Sequence, residues 1–180
     1  KNKSYKICTL NIEYHDSWTK DQFKTTGISP YYLVNMLITA NTARKNNETF
    51  CPYIETFKSA KDDSSTYRDI TDAKEVTMQL YTGMACGADM FGYFLYTSQG
   101  SANLEGMIDE NGVPTGRYSV VQKANQEALP FADVLKTFEW QGAEFFSGTS
   151  NKNSEALSLV TSNNSLKLVL EDATDGVLSS

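Results

Sequence analysis

A threefold alternation of strand-like and helix-like segments constrains this chain most. Residues 6–13, 50–55 and 90–96 carry the short alternating or apolar runs of strands, and residues 30–45, 72–86 and 117–138 carry the apolar period of helices. Strands that alternate with helices of this length pair in parallel through right-handed crossovers. Such sheets hold binding and catalytic groups at the carboxyl ends of their strands. Glu13 and Glu55 each close a strand at that end, so they head the functional candidates. With 180 residues, the chain is long enough for an ordinary domain with a sizeable core.

The local pattern supports each unit. In the first strand Cys8, Leu10 and Ile12 share one face, and Ile7, Thr9, Asn11 and Glu13 share the other. The apolar face suits covering helices, and the more polar one suits the inside of a curved sheet near its mouth. Ser29 and Pro30 open the first helix as cap and first-turn residue, Val34, Leu37, Ile38 and Asn41 follow at helical spacing, and Asn46-Asn47 ends it. In the second strand Phe50 and Ile54 are expected to face the helices and Cys51, Tyr53 and Glu55 to point away. Pro52 lacks the N–H of a ladder residue and is expected at a bulge or an unpaired position.

The second helix starts at Thr71 or Asp72, where Asp72 and Glu75 form a capping box. Val76, Leu80, Gly83 and Met84 line its stripe, the small Gly83 allows close approach to the sheet, and Gly87 ends the helix. Residues 90–96 are apolar on both faces, as in a strand covered on both sides. A loop of roughly 20 residues follows, long enough to suggest function, and Asp109–Gly112 within it reads as a hairpin turn. The last helix carries Val120, Val121, Ala124, Ala128, Val134, Leu135 and Phe138, with a kink expected at Pro130. From about residue 139 the pattern changes to short strand-like runs at 143–146, 156–160 and 166–170, separated by polar turns. Residues 1–140 are therefore read as one α/β unit and residues 141–180 as the start of a small all-β domain.

Charge and composition narrow the partners. A net charge of −6 and a pI near 4.8 disfavour nucleic acid and anionic membrane surfaces. No apolar run reaches the roughly 20 residues of a membrane helix. No signal peptide is visible, and a start at Lys1 leaves room for an upstream segment. Cys8, Cys51 and Cys86 lie inside expected elements and are read as buried thiols. No metal-ligand cluster or phosphate-cradling glycine loop is legible, so neither metal nor organic cofactor is expected. A lone histidine, His15, argues against Ser-His and multi-His arrangements.

Three stretches carry a family likeness: Pro52-Tyr53-Ile54-Glu55-Thr56-Phe57; residues 71–75 (TDAKE) through 84–88 (MACGA) to 91–94 (FGYF); and residues 106–118 (GMIDENGVPTGRY). Together they resemble the last two βα units of clan-A (β/α)8 glycoside hydrolases, the group that includes β-galactosidase-like enzymes. The resemblance implies a partial (β/α)8 barrel made of its last three βα units, followed by the start of a β-sandwich. It implies the carboxyl-terminal portion of a retaining glycoside hydrolase that cleaves O-glycosidic bonds, with Glu55 as nucleophile at the end of the seventh strand. The clan's acid/base Glu belongs to the fourth strand, outside these residues, so the 180-residue chain alone is expected to be inactive. An oligo- or polysaccharide ligand is implied, with Glu13, Tyr14, His15, Tyr53 and Tyr96 as substrate-binding candidates. An extracellular or cell-surface setting is favoured over a cytoplasmic one.

Plainer readings stand beside these. Glu55 could be a strand-end carboxylate paired with Lys58 or Arg68, or simply solvated. Glu13 could make an ion pair, and His15 could be an ordinary loop residue. Tyr53, Tyr93, Tyr96 and Trp18 could stack on a pyranose ring or belong to the core. The competing functions are a non-catalytic carbohydrate-binding protein and a structural barrel-derived protein that self-associates through open sheet edges.

Overall fold

The computed structural model describes residues 7–11, 31–59, 69–140, 143–146 and 177–179. These residues form a mixed α/β structure. In chain order they give β1 (Ile7–Asn11), α1 (Tyr31–Lys45), β2 (Thr49–Glu55), β3 (Lys58–Ser59), α2 (Ala73–Ala85) and β4 (Gly92–Phe94). A short 3-10 turn (Gly100–Ala102), β5 (Leu104–Glu105), α3 (Gly116–Leu135), β6 (Glu144–Phe146) and β7 (Val177–Ser179) follow.

The three strands of the alternation lie side by side and parallel in the order β1-β2-β4, as expected. The register runs from Ile7↔Thr49 to Asn11↔Tyr53 on one side of β2, and from Tyr53↔Gly92 to Glu55↔Phe94 on the other. Pro52 sits in an unbroken register opposite Leu10, so no bulge forms. The reason lies in strand geometry. Thr56 N–H donates to Phe94 O at 2.7 Å, which puts the even-numbered peptide groups of β2 on the β4 side. Pairing with β4 begins only at Tyr53, so the missing N–H of Pro52 forfeits no ladder bond.

Helices α1 and α2 cover β2, and α3 packs on α2. Their common core joins Phe50 and Ile54 of β2 to Met36 and Leu37 of α1, Val76 and Leu80 of α2, and Val121 and Ala124 of α3. Each fully buried large side chain contributes roughly 1.5–3 kcal/mol relative to exposure. The buried face of α1 differs from the expected one. Tyr32, Leu33, Met36, Leu37, Ala40 and Ala43 face inward, whereas Ile38 and Asn41 are exposed. Residues 31–38 are apolar around most of the helix, so two stripes compete. The chosen one ends on two alanines that permit close packing.

Caps set the boundaries of α2. Asp72 accepts from Lys74 N–H at 2.9 Å at the amino end. At the other end Gly87 N–H reaches Met84 O and Ala88 N–H reaches Gly83 O, both at 2.9 Å, with Gly87 at φ +75°. That is a Schellman motif, and its left-handed position favours glycine. Trp140 closes over this turn. A Cβ on Gly87 would lie within 2.8 Å of three indole carbons, and the indole Nε1 donates to Ala85 O at 2.8 Å. The Arg44 guanidinium lies 5.4 Å from the Trp140 ring centroid and donates to Gly87 O at 3.0 Å. Gly83 plays its expected part: a Cβ there would collide with Phe91 and come within 3.5 Å of Pro52.

The third strand is shorter than residues 90–96, because pairing begins at Gly92, and Met90 is exposed. The Phe94–Leu95 peptide is cis. The loop that follows is tightly built. Asp109–Gly112 makes the expected turn, with Asp109 N–H donating to Val113 O and Asp109 Oδ1 accepting from Asn111 and Val113 N–H, each at 2.8 Å. Helix α3 starts at the Thr115 cap and continues through the exposed Pro130. Strands β6 and β7 pair antiparallel. The strand-like runs at 156–160 and 166–170, and Ser29 and Pro30, lie outside the described residues. No described helix is long and apolar enough to cross a membrane.

Candidate functional site

The carboxyl ends of β2 and β4 bring together one carboxylate and several rings. Glu55 is the last residue of β2 and Phe94 the last of β4, and the two are register partners. In a parallel ladder such partners carry side chains on the same face, so Glu55 stands beside Phe94, which meets Phe57 edge-on at 5.5 Å between centroids. Two residues earlier on that face, the Tyr53 ring lies over Gly92, where a Cβ would come within 2.7 Å of it. Glycine at position 92 leaves the space the ring uses. Tyr53 remains 36% exposed, whereas Glu55 is 6% exposed. Cys51, next down the same face, is buried, and burial pushes its thiol pKa up while a hydrogen bond from the Gly92 backbone opposes the shift.

The backbone of Glu55 is held by a side chain from α2. Gln79 Oε1 accepts from Glu55 N–H at 2.8 Å, and Gln79 Nε2 donates to Glu55 O at 3.0 Å and to Glu75 O at 3.3 Å. Gln79 is 0% exposed. Its amide presents the same donor and acceptor as a peptide group, so it pairs with Glu55 as a strand peptide would.

A second device ties the surrounding loops together. Arg117, in the first turn of α3, has a side chain only 7% exposed, with Nη2 2.8 Å from Asp69 Oδ1 and Nε 3.0 Å from Glu105 Oε1. Its Nη1 also donates to Ile70 O. The segment after β2 and the β3–β5 pair, in which Lys58 opposes Glu105, are thus fastened to the start of a helix. Deeper in, burial raises the Tyr93 pKa, and its hydroxyl donates to Asn125 Oδ1 at 2.6 Å.

Of the site residues expected from sequence, Tyr53 and Glu55 share one strand face. Tyr96 follows the same sheet end, two residues past β4, and is exposed. Glu13, Tyr14 and His15 lie outside the described residues, as do Trp18 and Arg68. Phe57, Gly92, Phe94, Gln79 and Arg117 complete the neighbourhood and were not singled out as site residues beforehand. Two carried a readable signal: Gln79 interrupts the apolar stripe between Val76 and Leu80, and Arg117 places a cation in a first helical turn, where the helix dipole disfavours it. An open hollow near Ser98, Glu105 and Glu110 carries several carboxylates, yet these serve the loop itself, as when Glu110 Oε1 accepts from Gly100 N–H at 2.8 Å. Among the described residues no cluster suited to a metal ion occurs.

A carboxylate held at the end of a central parallel strand, beside aromatic rings, can serve as a nucleophile or as an acceptor for hydroxyl groups. No protein-family model matches the chain, and no curated protein is similar to it.

Proposed function

We propose that this chain is the carboxyl-terminal portion of a retaining glycoside hydrolase barrel, acting on O-glycosidic bonds in carbohydrate, with Glu55 as the nucleophile. The observation that carries the reading is the placement of Glu55. It ends the central strand of a parallel sheet, is 6% exposed, and has its main chain held on both sides. Strand ends of parallel βα sheets are where such enzymes keep their reacting groups. The barrel itself belongs to this proposal, with β1, β2 and β4 as three adjacent strands of it.

The chemistry follows from the two-carboxylate mechanism. A Glu55 oxygen attacks the anomeric carbon as the glycosidic oxygen departs with a proton from an acid group, which the family resemblance assigns to a strand preceding these residues. Water, deprotonated by that same group, then cleaves the glycosyl ester and regenerates the carboxylate. Tyr53, with its ring exposed above Gly92, would stack on the apolar face of the sugar. That ring equally suits a carbohydrate-binding protein without catalysis, which is the alternative.

The test needs no acid group. A 2,4-dinitrophenyl 2-deoxy-2-fluoroglycoside has a leaving group that departs without protonation and forms a slowly hydrolysed ester. The purified chain, treated with gluco, galacto, manno and xylo versions, is expected to gain one glycosyl mass on the peptide containing Glu55, and Glu55→Gln to gain none. Binding of the sugars without labelling would select the non-catalytic alternative. Labelling that survives Glu55→Gln would overturn the assignment.

A further inference from the structure

We infer that Gln79 is the positioning residue for the Glu55 carboxylate; the inference rests on the nucleophile reading above and names the group that makes Glu55 reactive. Glutamine is rarely fully buried, and an apolar residue would suit the stripe between Val76 and Leu80. Yet Gln79 is fully buried, with both ends of its amide hydrogen-bonded.

The geometry explains what the amide does. Glu55 ends its strand, and the described pairing with β1 stops two residues earlier, at Asn11↔Tyr53. Alternate peptide groups of β2 point to opposite edges, and Thr56 N–H already faces Phe94. The N–H and C=O of Glu55 therefore face the other edge, and Gln79 takes both. With Gln79 on one side and Phe94 O bonded to the next peptide on the other, the Glu55 Cα is held from two directions. Attack on an anomeric carbon requires a carboxylate oxygen near 3–3.5 Å from it, and a misplacement of about 1 Å can cost on the order of 100-fold in rate. A strand terminus held by one edge alone would leave that distance to chance. The third bond, to Glu75 O, fixes Gln79 to its own helix, so the reference frame for Glu55 is α2.

The experiment compares the wild-type chain with Gln79→Met, which keeps length and volume, and Gln79→Asn, which keeps the amide but is one carbon too short. Each is treated with the fluoroglycoside at a temperature where far-UV circular dichroism shows it folded, and the labelling rate constant is separated from the inhibitor's binding constant. Positioning predicts a labelling rate at least about tenfold lower in both variants, with binding changed by less than about twofold. A merely structural role predicts a lower melting temperature with the labelling rate of the folded protein unchanged, and that result overturns the inference. If the wild-type chain itself is not labelled, the nucleophile reading fails, and hydrogen exchange decides the Gln79 role alone. Selective loss of protection at the Glu55 amide in Gln79→Met, with residues 50–54 unaffected, would support it, and unchanged protection at Glu55 would overturn it.

Discussion

Arg117→Met should unfasten the loops above the sheet at a cost that can be worked from the structure. The guanidinium is 7% exposed and Asp69 21%, so this pair lies well inside the range where removing one partner is expensive, about 3–5 kcal/mol for full burial. Glu105 is 47% exposed, and solvent screening leaves its pair with Arg117 worth about 0–1 kcal/mol. The Ile70 carbonyl loses its donor, which costs about 1 kcal/mol. Against these, removing a cation from the first turn of α3 returns roughly 0.3–1 kcal/mol, and the Met side chain preserves the packing of the arginine stem. Partial exposure of Asp69 moves the balance to a net loss of about 3 kcal/mol, or a fall in melting temperature of about 6–12 °C for a chain of this length. Urea unfolding of the wild type, Arg117→Met, Asp69→Asn and the double variant gives the coupling directly. A coupling of about 1–3 kcal/mol is expected, because the two groups touch. A loss below about 1 kcal/mol for Arg117→Met, or additive single effects, would refute the claim that this ion pair fastens the loops.

Two further predictions concern packing and pH. Gly83→Ala gains up to about 1 kcal/mol of helix propensity, yet its Cβ meets Phe91 against the sheet. Overpacking of about 1–3 kcal/mol should win, so the variant should melt below the wild type, with Phe91→Leu partly relieving the defect; a Gly83→Ala variant as stable as the wild type would show that helix and sheet are less closely apposed. Stability should also fall at alkaline pH. Burial raises the pKa of Cys86 above its ordinary 9.0 and that of Tyr93 above its ordinary 10.0, so the unfolded chain loses these protons first. Stability is then fully present below about pH 9 and declines as pH rises beyond it; Tyr93→Phe should flatten the part of the decline above pH 10, as urea midpoints measured at pH 8–11 would show.

Much of the α/β pattern was legible because it depends on local periodicity. Alternation placed Phe50 and Ile54 toward the helices, and Asp72, Gly83 and Gly87 carried their roles in residue type alone. The buried face of α1 was not legible for the opposite reason: with apolar residues around most of its first two turns, only contact with the sheet decides that Tyr32 and Met36 go inward and Ile38 outward. The length of β4 likewise depends on where β2 offers a partner. At the candidate site, strand-end logic expected Glu55 and Tyr53 on one face at the end of β2, and they share it. It could not identify Gln79, which lies 24 residues from Glu55 in sequence, nor the Arg117 ion pairs, which exist only once two loops have folded onto a helix. Such partners belong to tertiary structure, and no spacing rule encodes them.

The Trp140 contact also tells how much of this α/β body must be kept by anyone who cuts or splices the chain. Helix α3 stops at Leu135, and a truncation there would look natural on a diagram of helices and strands. It would remove the indole that covers Gly87, take the donor from the Ala85 carbonyl and leave Arg44 without its aromatic face. The α/β body therefore includes Trp140, and Ala143 packs against the same core. The turn that the indole covers lies two residues before Asp89, whose carboxylate accepts from the Phe50 N–H at the amino end of β2, so trimming Trp140 would loosen the end of the sheet opposite Glu55.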